Sequence, residues 1–206
     1  STSRHSSVCT SPASWPARCK TGDGGLLAVL LDARRAQAGE AMLIDRILPG
    51  EEFLDRVGRS RNFCSIKESS GDINRVHLLA RNYPHIQMSC GMDDQALEFF
   101  AWGARSWVCG GSNFLPQEHA ALYKACVIDG NFSKGRRIMS ALLPLMGVLE
   151  QGGKFVQCIK HGCEMNGLRA GPPRPPLRPL NKDDKRQLEQ VVQVLKRTIT
   201  EIAAEK

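Results

Sequence analysis

The chain has 206 residues, of which 42% are hydrophobic, 24% charged and 6% aromatic, and 28 Lys and Arg against 21 Asp and Glu give a formal net charge of +7. This composition is typical of a globular chain with one sizeable core and excludes disordered and collagen-like sequences. The longest apolar run, Leu26 to Leu31, is far shorter than the roughly 20 residues that cross a bilayer, so we predict no membrane span.

The basic residues are scattered among acidic ones and form no stripe with interleaved aromatic side chains. A nucleic-acid-binding protein is therefore only a weak alternative, to be tested by the salt dependence of its affinity. We expect no nucleic-acid partner.

Eight cysteines lie mostly inside apolar runs without the compact spacing of a disulfide framework. We therefore expect free, buried thiols in a reducing compartment, and a cytoplasmic location by default. Cys158 and Cys163 flank His161 in CIKHGC, but this spacing fits no common zinc site. We expect no metal.

The N-terminal 50 residues have the weakest pattern. Residues 1–22 are rich in Ser and Pro and carry no acidic residue, which is typical of a tail. A short helix over Leu26 to Gln37 and a helical segment that ends at Gly58 are predicted next. We expect residues 1–50 to form an atypical, poorly ordered segment.

After Ser60, short β-rich runs alternate with amphipathic helices. Buried strands are predicted for three segments, namely Asn62 to Ile66, Ile86 to Cys90 and Ser106 to Gly110. Between and after them we predict a helix capped by Asp72, a helix capped by Asp93 or Asp94 that ends at Gly103, and a helix from Pro116 to about Ile128. Three consecutive strand–helix units predict parallel strands with right-handed crossovers, in either a doubly wound sheet or a barrel.

The rest of the chain is predicted to be helical. Helices are expected over Phe132 to Leu149 and Lys154 to Asn166, followed by a proline-rich connector, RAGPPRPPLRPLN. Asn181, with Asp184 three residues later, is predicted to cap a final helix that turns five apolar side chains inward: Leu188, Val191, Val192, Leu195 and Ile199. We expect domain divisions at 1–50, 51–130 and 131–206.

The segment SIKESSGD, residues 65–72, is the most informative one for chemistry, because it places Lys67 at the C-terminal end of a predicted buried strand. Enclosure disfavours an ammonium ion and raises the fraction of free amine, the form that attacks a carbonyl to make a Schiff base. The alternative is that Lys67 extends into water and pairs with Glu68 or another carboxylate. The next two predicted strands end in the small, glycine-rich stretches SCGMDD and VCGGSN, which leave room for a ligand.

Four motifs in order give the chain a resemblance to the family of dihydrodipicolinate synthase and N-acetylneuraminate lyase, which are Schiff-base aldolases. They are IKESSGD at 66–72, CGMDDQALE at 90–98, GARSWVCGGSN at 103–113, and the helix KFVQCIKHGCEMNGL with its proline-rich connector. The resemblance runs from about Glu52 to Ile199. It implies an α/β fold made of strands six to eight of a (β/α)₈ barrel of the triosephosphate isomerase (TIM) type, followed by the family's C-terminal helical extension.

The resemblance also implies a chemistry. Lys67 matches the catalytic lysine that condenses with the keto carbon of pyruvate or another 2-keto acid, and Gly91 and Val108 match positions whose backbone lines the substrate pocket. The reaction implied is condensation or cleavage of a 2-keto acid with an aldehyde, in a homo-oligomer and without a cofactor. Glu68 and Asp93 are expected to have ordinary roles in surface pairing and helix capping.

The sequence departs from the family pattern in its N-terminal part. Counterparts of only three of the eight strands are recognisable, so we expect an incomplete barrel. The family's fifth strand carries a tyrosine that relays protons, whereas AMLIDRILPG, which ends at Gly50, occupies that place without one. Tyr83 and Tyr123 fall on predicted helices and cannot substitute for it. A non-catalytic remnant that associates with itself or with full-length relatives is therefore the main alternative to an active lyase.

Overall fold

The computed structural model describes residues 28–30, 50–59 and 65–205. These residues fall into two compact units that divide between Val108 and Cys109. The first unit contains a parallel sheet with its helices, and the second unit is helical. The predicted domain limits at residues 50 and 130 remain predictions.

The first unit is built on a four-stranded sheet. Its strands are β1 (Ala28–Leu30), β2 (Ser65–Glu68), β3 (Gln87–Cys90) and β4 (Ser106–Trp107). All neighbours are parallel, and the spatial order follows the sequence order, β1-β2-β3-β4. This order never reverses, unlike that of a doubly wound sheet.

Two strand predictions and one helix prediction need correction. Lys67 lies inside β2 and not after it, because the strand runs on through Glu68, and residues 62–64 of the predicted strand lie outside the described residues. The strand predicted from Ser106 to Gly110 ends at Trp107. The helix predicted over Leu26 to Gln37 is wrong at Ala28–Leu30, which form β1. A short apolar run has no periodicity that separates strand from helix, and pairing with β2 decides the outcome here.

Helices of the first unit are α1 (Glu51–Val57), α2 (Ile73–Asn82) and α3 (Ala96–Ala101). The predicted cap of α2 is confirmed, since Asp72 accepts a hydrogen bond from the Asn74 amide at 2.9 Å. The predicted cap of α3 is wrong, because Asp93–Gln95 form a 3₁₀ turn ahead of the helix and no side chain caps it. As predicted, the helix ends before Gly103, which adopts a φ of +91°.

The second unit contains α4 (Pro116–Tyr123), α5 (Phe132–Met146), α6 (Phe155–Met165) and α7 (Lys182–Ala204). A 3₁₀ turn at Gly111–Asn113 precedes α4, and π-helical turns at Lys124–Ile128 and Gly147–Gln151 extend α4 and α5. The predicted helices of this region are confirmed, with boundary shifts of a few residues.

The longest helix, α7, begins as predicted. Asn181 caps it by accepting a hydrogen bond from the Asp184 amide at 2.8 Å. Its buried face contains Leu188, Val192, Leu195 and Ile202. Two residues of the predicted inward set, Val191 and Ile199, are only half-buried. None of the helices within the described ranges has the length and apolarity that a membrane span requires.

Candidate active site

Lys67 lies in the middle of the sheet. In the register of the strands it is opposite Leu30 of β1 and Ser89 of β3, and its side chain is half-buried. The aliphatic stem leans toward Gly91, the first residue after β3. A methyl group added to Gly91 would lie only 2.7 Å from Cε of Lys67. Two of the three predicted site residues, Lys67 and Gly91, are therefore neighbours, and the missing side chain of Gly91 makes their close approach possible.

Ser69 lies on the same side of Gly91 and is a residue that the sequence reasoning missed. Its Oγ would be 1.9 Å from a methyl group on Gly91. The residue is 3% exposed, and Oγ has no hydrogen-bond partner among the described residues. Side chains two positions apart on extended backbone point to the same face. The position of Ser69 two residues after Lys67 could therefore have indicated from the sequence that both side chains face the same site.

Glu68 lies between these two residues and points away from them. It is 1% exposed. Its Oε1 accepts a hydrogen bond from the Ser70 amide at 2.6 Å, and its Oε2 accepts one from Nε of Arg75 in α2 at 2.7 Å. The predicted surface role of Glu68 is therefore wrong, and so is its pairing with Lys67. The alternation of strand side chains sends the carboxylate under the sheet toward the helix, where Arg75 neutralises it.

Asp93 is also buried, and its carboxylate makes a contact other than the predicted helix cap. It has no exposed surface, and its Oδ1 accepts a hydrogen bond from Nε1 of Trp107 at 2.9 Å. This contact joins the chain after β3 to the end of β4. Asp93 thus stabilises the two neighbouring strand ends that carry the other predicted site positions.

Cys90, the last residue of β3, is a buried thiol. Its Sγ donates to the Met92 carbonyl at 3.1 Å. Burial, followed by the negative charge of Asp93, raises the pKa of the Cys90 thiol well above its usual range. The thiol therefore stays neutral at physiological pH and is not the nucleophile of this site.

Val108 follows β4 directly. Its amide donates to the Cys90 carbonyl at 2.9 Å, which extends the pairing of β3 and β4 by one hydrogen bond. Its side chain is 40% exposed. The Val108 backbone is thus held beside Cys90, the last residue of β3, which is followed directly by Gly91.

Tyr83 has a structural role. Its hydroxyl donates to Oδ1 of Asp55 in α1 at 3.0 Å. Burial and this hydrogen bond to a carboxylate raise the pKa of Tyr83 above its ordinary value. The hydroxyl is engaged with α1, which agrees with the expectation that Tyr83 does not relay protons for Lys67.

The CIKHGC segment forms part of α6. Cys158 is buried and free, and Nε2 of His161 lies 3.1 Å from Oε1 of Glu189 in α7. Within the described residues, no three His, Cys, Asp or Glu side chains come together as metal ligands. The five cysteines that the structure describes are free thiols, and four of them are buried: Cys90, Cys109, Cys126 and Cys158. Burial raises the pKa of the Cys126 thiol to about 11.

The parallel sheet, wound in one direction and flanked by helices, defines an α/β protein. Lys67 in a central strand, beside the glycine at the adjacent strand end, is its candidate amine nucleophile. The chain belongs to the dihydrodipicolinate synthetase family, whose sequence model matches residues 50–195. This confirms the resemblance seen in the sequence motifs.

Comparison with individual relatives is consistent with this family membership. The chain is 35% identical over 117 residues to a 4-hydroxy-tetrahydrodipicolinate synthase from Exiguobacterium sibiricum, a match covering 56% of this chain and 39% of that protein. It is 29% identical over 160 residues to an uncharacterized DapA-like lyase from Pyrobaculum aerophilum, covering 72% and 52%. The chain therefore spans about half the length, or less, of these curated relatives.

Solved structures give the same result. The 4-hydroxy-tetrahydrodipicolinate synthase of Methylacidiphilum fumariolicum SolV is similar with a TM-score of 0.67 and 26% identity, over 75% of this chain and 51% of that one. The dihydrodipicolinate synthase of Oceanobacillus iheyensis is similar with a TM-score of 0.64 and 27% identity, over 72% and 51%.

Proposed function

We propose that this chain carries the Schiff-base part of a lyase or synthase that joins a 2-keto acid, with pyruvate as the simplest case, to an aldehyde or cleaves the product. One observation carries the proposal: the amine-bearing stem of Lys67 packs on Gly91 beside the Ser69 hydroxyl, which has no hydrogen-bond partner among the described residues. Family membership and relatives named as synthases of this kind support it.

The chemistry begins at the Lys67 amine. In its neutral form the amine attacks the keto carbon, and loss of water from the carbinolamine leaves an imine. Loss of a proton from the neighbouring carbon gives an enamine, which attacks the aldehyde carbon. Water then hydrolyses the new imine and releases both the product and Lys67. The reverse sequence is the cleavage reaction.

Ser69 has a place in this scheme as a hydrogen-bonding group. Its hydroxyl is buried beside the Lys67 stem and can donate to the carbinolamine oxygen or to the substrate carboxylate. A buried hydroxyl without a partner costs free energy, and a bound substrate would relieve that cost. We assign it a binding role and not that of a general acid.

In fold terms, we place β2, β3 and β4 as strands six, seven and eight of the family barrel. The strand that pairs with β2 is then the fifth. In this structure it is β1, with the sequence AVL, and not AMLIDRILPG, of which only Gly50 lies within the described residues. Neither segment contains a tyrosine. General acid–base assistance is worth roughly 10²- to 10⁴-fold in rate, so we expect imine formation to be much faster than turnover.

Borohydride trapping tests the proposal. The folded chain is incubated with pyruvate, reduced, digested and mapped by mass spectrometry. We expect one reduced pyruvyl adduct, on Lys67, and its loss in Lys67→Met but not in the matched variant Lys124→Met, whose exposed lysine pairs with Asp129 at the end of the π-helical turn after α4. Acetate, which has no keto carbon, serves as the chemical control. A folded chain without an adduct, or with adducts spread over surface lysines, would refute the assignment.

A non-catalytic role in association is the second candidate. Strand β1 favours it, because within the described residues it pairs with β2 alone. The outer edge of such a strand attracts further strands. Self-association without an adduct on Lys67 would support this role over catalysis.

A further inference from the structure

The helical unit contains a cleft of about 290 Å³ between α6, the proline-rich connector and the first turn of α7. Six of its lining residues define its chemistry: Lys160, His161, Glu164, Pro172, Leu180 and Lys185. No residue of the proposed Lys67 site takes part. The volume is near the lower end of the range of small-molecule pockets, roughly 300–1,000 Å³.

The walls of this cleft are held in place. Nζ of Lys160 donates to the Ala170 carbonyl at 2.6 Å, which joins α6 to the connector. Nε2 of His161 lies 3.1 Å from Oε1 of Glu189, which joins α6 to α7. The connector prolines have a fixed φ. A ligand would therefore enter a cleft that is already formed, with little ordering of the protein.

The polar groups of the cleft favour an anion. Lys160 uses one of its three N–H donors on Ala170, so donors remain for a ligand. Lys185 is half-buried and adds a second ammonium group. The carboxylate of Glu164 is exposed to solvent, where its repulsion of an anion is screened.

The apolar part of the cleft lining indicates which kind of anion would fit. Buried Leu180 and the connector prolines form an apolar wall. An anion with an apolar body satisfies the ammonium groups and covers the apolar wall, whereas a small inorganic anion does only the first.

We propose that this cleft binds a small organic carboxylate, with its carboxylate between the ammonium groups of Lys160 and Lys185 and its apolar body against Pro172 and Leu180. This site is independent of the Lys67 chemistry. Benzoate is a suitable probe because it has a carboxylate and an apolar ring but no keto carbon that could react with Lys67.

Calorimetric titration of the full chain with benzoate at low ionic strength, together with ¹⁵N NMR mapping, tests the proposal. We expect saturable binding and amide shifts concentrated in residues 157–164 and 171–185. Benzamide lacks the charge, acetate lacks the ring and inorganic phosphate lacks any apolar body, so each should bind about tenfold more weakly or worse. Absence of benzoate binding, equal binding of benzamide, or shifts centred elsewhere would overturn the proposal.

Substitutions distinguish the contribution of the ammonium charges to benzoate affinity from the contribution of the cleft shape. Lys185→Met keeps an unbranched side chain and the Lys160–Ala170 contact, and it should weaken benzoate about tenfold. Lys160→Met should weaken it at least as much, since it also releases the connector. Lys196→Met, on an exposed part of α7 outside the cleft, should bind like the wild type. Wild-type affinity in Lys185→Met would refute the role of the ammonium pair.

Discussion

Gly91 shows how one residue without a side chain controls the candidate active site. Lys67 and Ser69 both approach the space that a Cβ at position 91 would fill, and the Glu68 carbonyl oxygen lies 2.7 Å from that point. The sequence suggested only that a glycine leaves room for a ligand. In the structure, that room is already occupied by the lysine stem and the serine hydroxyl.

Replacing Gly91 by alanine should therefore damage both stability and chemistry. We expect Gly91→Ala to lose about 1–3 kcal/mol of unfolding free energy, because the backbone oxygen of Glu68 cannot move aside without cost. Chemical denaturation measures this, and borohydride trapping measures the accompanying loss of adduct on Lys67. Gly50→Ala is the matched control, since a methyl group there would meet nothing within 4 Å. Equal stability of the two variants would contradict the packing described.

A second residue-scale prediction concerns Glu68. Its carboxylate holds the Ser70 amide and Arg75, and so fixes the backbone on either side of Ser69 without facing Lys67. We expect Glu68→Gln to cost about 1.5–3 kcal/mol of unfolding free energy, the value of hydrogen bonds to a charged group. As a positioning residue it should slow trapping on Lys67 even under conditions where the variant is fully folded.

The control for this substitution is Glu98→Gln, an exposed glutamate on α3. It should change neither the unfolding free energy nor the trapping rate. If Glu68→Gln is destabilised but traps pyruvate at the wild-type rate when folded, Glu68 has only a structural role.

At the scale of elements, α7 shows how an amphipathic pattern becomes packing. Leu195 is 1% exposed, whereas its neighbour Val194 is 58% exposed. The period of 3.6 residues per turn places these adjacent residues on different faces. The capping residues Asn181 and Asp184 then determine where the helix begins.

This pair of neighbours supports a direct comparison. Leu195→Ala should cost about 2–5 kcal/mol, because it removes buried methyl groups and leaves a cavity. Val194→Ala should change the unfolding free energy by less than about 0.5 kcal/mol. Denaturant titrations of both variants under identical conditions measure the difference. Similar values for the two would mean that α7 does not pack on the buried face described.

At the scale of the whole molecule, the parallel sheet is the feature that bears most on whether the chain associates with itself. Within the described residues it has four parallel strands in sequential order, and the chain spans about half the length, or less, of its curated relatives. Within the described residues its first strand, β1, pairs with β2 alone. The outer edge of such a strand is a site of further strand pairing.

We therefore expect this chain to associate with itself. Sedimentation velocity over a range of protein concentrations should show a weight-average mass that rises with concentration. The Leu195→Ala variant, which is altered in α7 and not at a strand edge, should associate to the same extent wherever it remains folded. A constant monomeric mass over the whole range would contradict the prediction.

Much of the architecture could be predicted from the sequence because it depends on local signals. The cap at Asp72, the helix starting at Pro116, the Asn181 cap and the order of the βα units each follow from a few neighbouring residues. The resemblance of the motif around Lys67 to the family's lysine strand similarly pointed to the candidate nucleophile, which the structure places half-buried in β2.

The remaining features were decided by contacts between distant segments. β1 is a strand because β2 offers its backbone to pair with, although its three apolar residues have no period of their own. Glu68 and Asp93 are buried because Arg75 and Trp107, several residues away along the chain, supply their hydrogen bonds. The place of Ser69 beside Lys67 follows from Gly91, which lies directly after the next strand, β3. Apart from β1, the sequence by itself determined which segments form helices and strands, because capping and periodicity act locally. Only the tertiary structure decided which polar side chains face the lysine and which are paired beneath it, because that depends on the neighbours each strand receives in the sheet.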